Sequence, residues 1–344
     1  MNEVLSDLTL IVPTRNRHAS LVKLLQYYAP LPIKLIVVDG SIDAFDTSGY
    51  DDCICSFRYF HMPVSYDQRM TFAGDLCDTE FAMISSDDEY YLKDGLINAL
   101  NKLRNNSSLS SVAGRCAAFV YNEQGLRLGT FYNFLKDYEN NNKLSSMRVR
   151  QLTDCFPLIS GFICSVCRTN AFKAAVQVAF RYKFTCPFVQ EVLFSLSLFI
   201  QGGMQSTPEL LWLRNLQAPP VNDAQWHRKL DFSMWYSDPQ YAVEVAQMLS
   251  CITDFYDLFL TTDEPEFSMG DFFSALIDFD RQLSAGLIEA DKAYDFPLSV
   301  FLILSRQHGL PVDEACLREV ERIELASIIT SNETVQIKSR LTTW

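Results

Sequence analysis

The sequence has 344 residues, of which 48% are hydrophobic and 21% charged; this is close to the average of soluble globular proteins and enough for one large domain or two ordinary ones. The formal net charge of −13 is uneven, since residues 221–344 hold 21 acids against 9 bases and the first 220 hold 21 against 20. An acidic surface repels phosphate backbones and anionic lipid, so neither a nucleic-acid partner nor a polybasic membrane attachment is expected.

The first residues carry acids before a short apolar run, which is not the pattern of a secretory signal. Leu8–Val12 (LTLIV) is short, apolar and ended by Pro13, as expected of a strand buried on both faces. After the polar turn Thr14–Arg17, the spacing of Leu21, Leu24, Leu25 and Tyr28 predicts a helix over Ala19–Tyr28. Ile33–Val38 is a second buried strand, ending in Asp39-Gly40-Ser41. Phe57–His61 reads as a third strand and Gln68–Leu76 as a helix. Phe81–Ile84 is a fourth strand, running directly into Ser85-Ser86-Asp87-Asp88-Glu89. Lys93–Leu103 has helical spacing and Val112–Tyr121 is strand-like.

Asn122–Arg150 is polar and reads as a long loop. Cys155–Cys167 is apolar and strand-like; Thr169–Phe180 and Phe188–Ile200 are helical, the second ended by Gly202-Gly203. The stretch 188–200 is too short for a bilayer span and contains Gln190 and Glu191, so no transmembrane segment is expected. A cytoplasmic protein, at most peripheral to the inner face of the membrane, is the expectation. Glu209–Leu213 is a last strand, and Pro219-Pro220 forms a linker. Beyond it Tyr241–Leu260, Met269–Leu287 and Val312–Ile329 carry helix-period apolar residues with acidic faces. The alternation of strands and helices predicts an α/β class with an open, mostly parallel sheet flanked by helices over 1–218, and a helical C-terminal domain over 219–344. Ten cysteines include one CxxC, Cys164 and Cys167, without a second pair at zinc spacing; reduced, mostly buried thiols are the simple reading.

In open α/β sheets ligands gather at the C-terminal ends of the strands. Three strands here end in polar clusters: Thr14–Arg17, Asp39, and Asp87–Glu89. The third is the sharpest signal. Adjacent acids repel one another at a cost that grows with burial, and a hard divalent cation, Mg²⁺ or Mn²⁺, would relieve it, completed by substrate phosphates and water. A solvated acidic turn ahead of the next helix is the plainer alternative. The sequence lacks a GxGxxG after the first strand, a GxxxxGK[ST] and a GxSxG, which removes the dinucleotide dehydrogenase, the P-loop enzyme and the α/β-hydrolase.

The segments LTLIVPTRNRHASLVKLLQYY, IKLIVVDGS and FAMISSDDEYY resemble the opening of GT-A-fold glycosyltransferases of the family 2 type. A bacterial subgroup is more similar still, through Cys167-Arg168-Thr169, Glu191-Val192-Leu193 and Gly202-Gly203. The resemblance covers about residues 7–215. It implies a GT-A-type, Rossmann-like fold and transfer of a sugar from a nucleoside-diphosphate sugar to a hydroxyl of a saccharide or glycolipid acceptor. By position it implies that Pro13, Thr14, Arg15 and Arg17 line the nucleotide site, that Asp39 hydrogen-bonds the base or ribose, and that Arg69 touches the nucleotide. It places Asp87 at the donor ribose, and Asp88, Glu89 and His227 at a divalent metal. Glu191 becomes the catalytic base, with inversion at the anomeric carbon.

Arg15 stands where the family has an aromatic residue, and Ser86 where the subgroup often has an acid. The competing readings are a catalytically degenerate GT-A-like scaffold subunit, with the acidic C-terminal domain as partner surface, and a sugar nucleotidyltransferase. Residues 13–18 contain no glycine, which counts against the latter. Self-association through the C-terminal domain is a further expectation.

Overall fold

The computed structural model describes residues 2–50, 56–122, 125–130, 163–215, 232–259, 277, 296–307 and 312–326. Its centre is a ten-stranded sheet. Strand β1 (Leu8–Thr14) leads to α1 (His18–Tyr28), and β2 (Lys34–Asp39) follows. Then come β3 (Phe57–His61), α2 (Tyr66–Asp75), β4 (Phe81–Ile84), the short β5 (Glu89–Tyr91) and α3 (Lys93–Asn105). The long β6 (Leu109–Asn122) and β7 (Gly125–Thr130) form a hairpin. After them lie β8 (Val166–Arg168), α4 (Thr169–Ala179), α5 (Phe188–Gln201) and β9 (Gly203–Asn215). The C-terminal third contributes α6 (Phe232–Ser237), α7 (Ala242–Phe259), β10 (Phe296–Pro297), α8 (Leu298–Gln307) and α9 (314–326).

Strands β3, β2, β1 and β4 lie side by side and parallel. The antiparallel β8 bridges β4 to β6, and β6 pairs in parallel with β9. Strands β5, β7 and β8 therefore run against the direction shared by the other seven. The sheet is mostly parallel and flanked by helices, as the apolar strand runs predict.

Both faces of the parallel part are covered, which is why these strands are almost wholly apolar. Leu10 and Val12 of β1, Leu35 and Val37 of β2, and Phe81 and Met83 of β4 join one core with α1 and α3. Their neighbours Ile11, Ile36, Val38, Ala82 and Ile84 join the other, with α2, α4 and α5. The period of two assigns successive side chains to opposite cores. The C-terminal third adds to each: Phe232, Trp235 and Met248 to one, Leu298, Leu302, Leu317 and Val320 to the other. Among the described residues no helix is long and apolar enough to cross a membrane.

Two expectations change. The stretch beginning at Asn122, read as a loop, opens with β7, in which Leu126 and Leu128 are buried on either side of Arg127; six residues of alternation were too few to stand out against the polar segment after them. Residues 131–150, and most of the expected helix at 269–287, lie outside the described residues. Strand β9 starts six residues earlier than read, at Gly203. Arg168 donates to the carbonyls of Leu103, Asn106 (3.2 Å) and Leu109 (2.9 Å), closing the C-terminal end of α3.

Helix α3 crosses β9 at close range. A Cβ on Gly95 would lie 2.5 Å from Leu210 O and 2.7 Å from Leu211 Cα. Alanine favours a helix by about 1 kcal/mol over glycine, but here the obstacle is backbone. Gly95→Ala is expected to lower stability by about 1–3 kcal/mol, the usual cost of overpacking; a rise in the urea midpoint would contradict the close approach.

Candidate active site

The parallel register sets Thr14 beside Asp39 at the C-terminal ends of β1 and β2. The backbone then turns sharply. Asn16 has φ +57°, a conformation that asparagine tolerates better than most residues, and its N–H donates to Ser41 Oγ at 2.7 Å. This ties the loop after β1 to the loop after β2. Arg15 is exposed on the rim, Pro13 is half-buried inside β1, and Arg17 points back over the sheet.

Arg17 meets the acids at the end of β4. Its Nη1 lies 3.1 Å from Asp87 Oδ1 and its Nη2 2.7 Å from Asp88 Oδ2. The Thr14 hydroxyl donates to Asp87 Oδ2 at 2.6 Å. Burial pushes the Asp87 carboxyl up to about 6, against the pull of Arg17 and of the Thr14 hydrogen bond. The first and third sequence clusters thus converge, with a guanidinium bridging two carboxylates.

Asp39 is fully buried. Its Oδ1 accepts from Ser41 N (2.8 Å) and from the Ser41 hydroxyl; its Oδ2 accepts from Tyr59 OH (2.7 Å) and His18 Nε2 (3.0 Å). Burial alone would raise this carboxyl, but the donated hydrogen bonds outweigh it and hold it below its ordinary value.

Arg69, expected to touch the nucleotide, is turned inward. It is 4% exposed, and its Nη1 donates to Thr14 O (2.7 Å) and Val38 O (2.9 Å). It holds together the ends of β1 and β2, beneath Gly40, where a Cβ would fall 2.6 Å from the guanidinium carbon. A side chain at Gly40 would have to displace that guanidinium from its place.

Glu89 opens β5, and the antiparallel register places it opposite Arg214 of β9. Arg214 Nε lies 3.8 Å from its carboxylate. Burial pushes Glu89 up to about 8, opposed mainly by Arg214. Glu191, in the first turn of α5, is pushed up to about 7 by burial, with Arg214 again opposing. One guanidinium thus acts on two carboxyls that are 102 residues apart in the chain. The preceding residue, Gln190, donates to Asp67 of α2 and fixes this end of α5.

The acids read as one metal set separate in the fold: Asp88 faces Arg17, while Glu89 faces Arg214. His227 lies outside the described residues. Among the described residues no three His, Cys, Asp or Glu side chains form a metal-binding group. Asp88 alone, part-exposed beside the crevice, has the donor chemistry that Mg²⁺ or Mn²⁺ uses when phosphate oxygens and water supply the rest.

Four contributors escaped the sequence reading: His18, Ser41, Tyr59 and Arg214. The signal for Arg214 was its cross-strand position opposite an acid, legible only once both strand boundaries are known. Trp212 stacks on Tyr91 with ring centroids 5.9 Å apart, and Trp235 is buried with its indole N–H on Glu244 at 2.8 Å. Both are core residues. The seven described cysteines, Cys164 and Cys167 among them, are free thiols.

No family model matches the chain, and no curated protein matches it. Among solved structures it is similar to S. aureus TarS, at 15% identity over 79% of this chain and 48% of that one, with a TM-score of 0.45. A structure of residues 1–349 of S. aureus TarS is similar at 14% identity over 85% of this chain and 94% of that one, with a TM-score of 0.42. The mannosyltransferase PcManGT from Pyrobaculum calidifontis, in complex with GDP-Man and Mn²⁺, is similar at 13% identity over 94% of this chain and 86% of that one, with a TM-score of 0.39. The chain spans about half the length of the first of these structures.

Proposed function

We propose that the protein is a glycosyltransferase of the GT-A, family 2-like type, taking its sugar from a nucleoside-diphosphate donor. The observation that carries this reading is the convergence of Thr14, Arg17, Asp87 and Asp88 at the carboxyl ends of parallel strands; Glu191, pushed up to about 7, shares the influence of Arg214 with Glu89. Residues 1–218 hold the donor chemistry. Residues 219–344, with the segment 122–150, select a saccharide or glycolipid acceptor and offer a surface for self-association. The protein works in the cytoplasm, at most peripheral to the inner face of the membrane.

In this mechanism Arg17 and the loop after β1 hold the donor diphosphate, and Asp88, with His227 as a second ligand, would hold a divalent cation. Such a cation would supply Lewis-acid stabilisation of the departing diphosphate. Glu191 accepts the proton of the acceptor hydroxyl as its oxygen bonds to the anomeric carbon. The bond from that carbon to the diphosphate breaks, and the configuration inverts. A carboxyl near 7 is suited to a base that must be ionised yet still take a proton at neutral pH. Glu89, held near 8, stays mostly protonated there and supports the wall between β5 and β9.

The test is thermal unfolding with UDP, GDP, CDP and ADP, each with and without Mn²⁺. A diphosphate at 100-fold over its Kd stabilises by about 2.7 kcal/mol, and the shift should grow with Mn²⁺. Slow metal-dependent hydrolysis of the matching sugar nucleotide is expected as well. No shift with any of the four overturns the reading in favour of a non-catalytic scaffold.

A further inference from the structure

The four donors on Asp39 have a consequence for how a nucleotide is read. An ionised carboxylate offers about four lone-pair sites. Ser41 N, Ser41 Oγ, Tyr59 OH and His18 Nε2 fill them, and Asp39 has no exposed surface. No acceptor remains on it for a ligand. Its neighbours are similarly engaged. Tyr59 OH donates to Asp39 and accepts from Phe45 N at 2.7 Å. The Ser41 hydroxyl donates to Asp39 and accepts from Asn16 N.

His18 differs. Its side chain is 32% exposed. Nε2 faces a carboxylate that carries no proton, so the neutral ring keeps its proton on Nε2 and leaves Nδ1 a bare acceptor. Nδ1 has no partner among the described residues. The ring packs edge-on against Phe45, with centroids 5.4 Å apart. On the same rim stands Ile42, 82% exposed, whose N–H reaches Asn16 Oδ1 at 3.4 Å. A ring acceptor beside the half-buried Phe45, on a rim that also carries the exposed Ile42, suits a flat heterocycle with an N–H, or the hydroxyl of an attached ribose.

We infer that His18, not Asp39, contacts the nucleoside of the donor: its Nδ1 accepts a hydrogen bond from a base N–H or ribose hydroxyl, and Asp39 is the positioning residue that fixes the ring and its tautomer. This rests on the proposed nucleotide-sugar function and specifies it. An Asn at position 39 keeps its oxygen on the fixed donor Ser41 N and so turns its amide nitrogen toward the imidazole. With the nitrogen there, Nε2 becomes the acceptor and the proton moves to Nδ1, which then repels the ligand's donor.

The experiment measures the Kd of the diphosphate that stabilises the wild type, for wild type, His18→Phe, Asp39→Asn and the double variant. Imidazole ¹⁵N NMR of the free proteins accompanies it. Expected are a roughly tenfold loss for each single variant, the scale of one hydrogen bond, and no further loss in the double variant. His18 should show the Nε2–H tautomer in the wild type and the Nδ1–H tautomer in Asp39→Asn. One modified nucleotide should bind the wild type about tenfold more weakly but bind His18→Phe as the parent does. The base arm uses the N3-methyl form for UDP or the N1-methyl form for GDP; the ribose arm uses the 2′-deoxy and 3′-deoxy forms. Wild-type affinity in His18→Phe, additive losses in the double variant, or no discrimination among modified nucleotides overturns the inference. Failure of the wild type to bind any nucleoside diphosphate overturns the functional reading beneath it.

Discussion

Glu191→Gln is expected to reduce turnover by about 10²–10⁴-fold, the usual contribution of a general base, while leaving the nucleotide-induced thermal shift intact. The amide matches the carboxyl in size but cannot take a proton. Two further readouts separate a base from a merely placed side chain. In the wild type the rate should rise with pH and level off above about 7, where the carboxyl ionises; below that, it should fall about tenfold per pH unit. Stability should move in the opposite direction. Glu191 has a folded-state pKa raised from 4.5 to about 7. The folded protein therefore loses stability relative to the unfolded chain as pH rises between those values. Glu191→Gln should match the wild type near pH 4 and exceed it at pH 8. A variant that is both slower and less stable at pH 8 would instead mark Glu191 as a structural residue.

Arg17→Met has the second large effect, on folding. Arg17 is the cation between Asp87 and Asp88, and its side chain is 10% exposed. Removing one partner of a buried ionic cluster costs about 3–5 kcal/mol, because the remaining charges are left uncompensated. Methionine keeps much of the apolar stem, so the loss reports charge. The two carboxylates would then be free for a divalent cation, and Mn²⁺ should recover part of the lost stability in the variant while changing the wild type little. Chemical denaturation with EDTA and with Mn²⁺ measures both. No response of the variant to Mn²⁺ would remove Asp88 as a metal ligand.

The parallel core was legible because a strand buried on both faces must be a continuous apolar run, and β1, β2 and β4 are. The crevice followed from the polar residues ending those runs: Thr14, Arg17, Asp39, Asp87 and Asp88 come together where the strand ends predict. Strand β5 was not legible. Three residues carry no period, and its first, Glu89, looked like the end of an acidic turn. Missing β5 also hid Arg214, since only its pairing across β9 brings Arg214 to Glu89 and Glu191. Asp39 was found, but its role was drawn from resemblance. Its saturation by His18, Tyr59 and Ser41 depends on three side chains from separate positions, and no local pattern announces it.

The last described helix reaches back to the beginning of the chain. Glu324 of α9 is 3% exposed; it accepts from Lys23 Nζ at 2.9 Å and from Tyr90 OH at 2.9 Å, across sequence separations of 301 and 234 residues. Tyr90 sits in β5, one residue after Glu89. During synthesis β5 therefore emerges from the ribosome long before the side chain that anchors it. At roughly 5–20 residues per second, the wait between Tyr90 and Glu324 is about 10–50 s. Strands β6 and β9 are added during that interval, and by its end the parallel sheet is nearly complete while β5 still lacks this anchor. This anchor forms only once Glu324 has emerged, after every described strand has been made. Chains stalled before residue 324 should be cut by protease near β5 while β1, β2 and β4 are already protected.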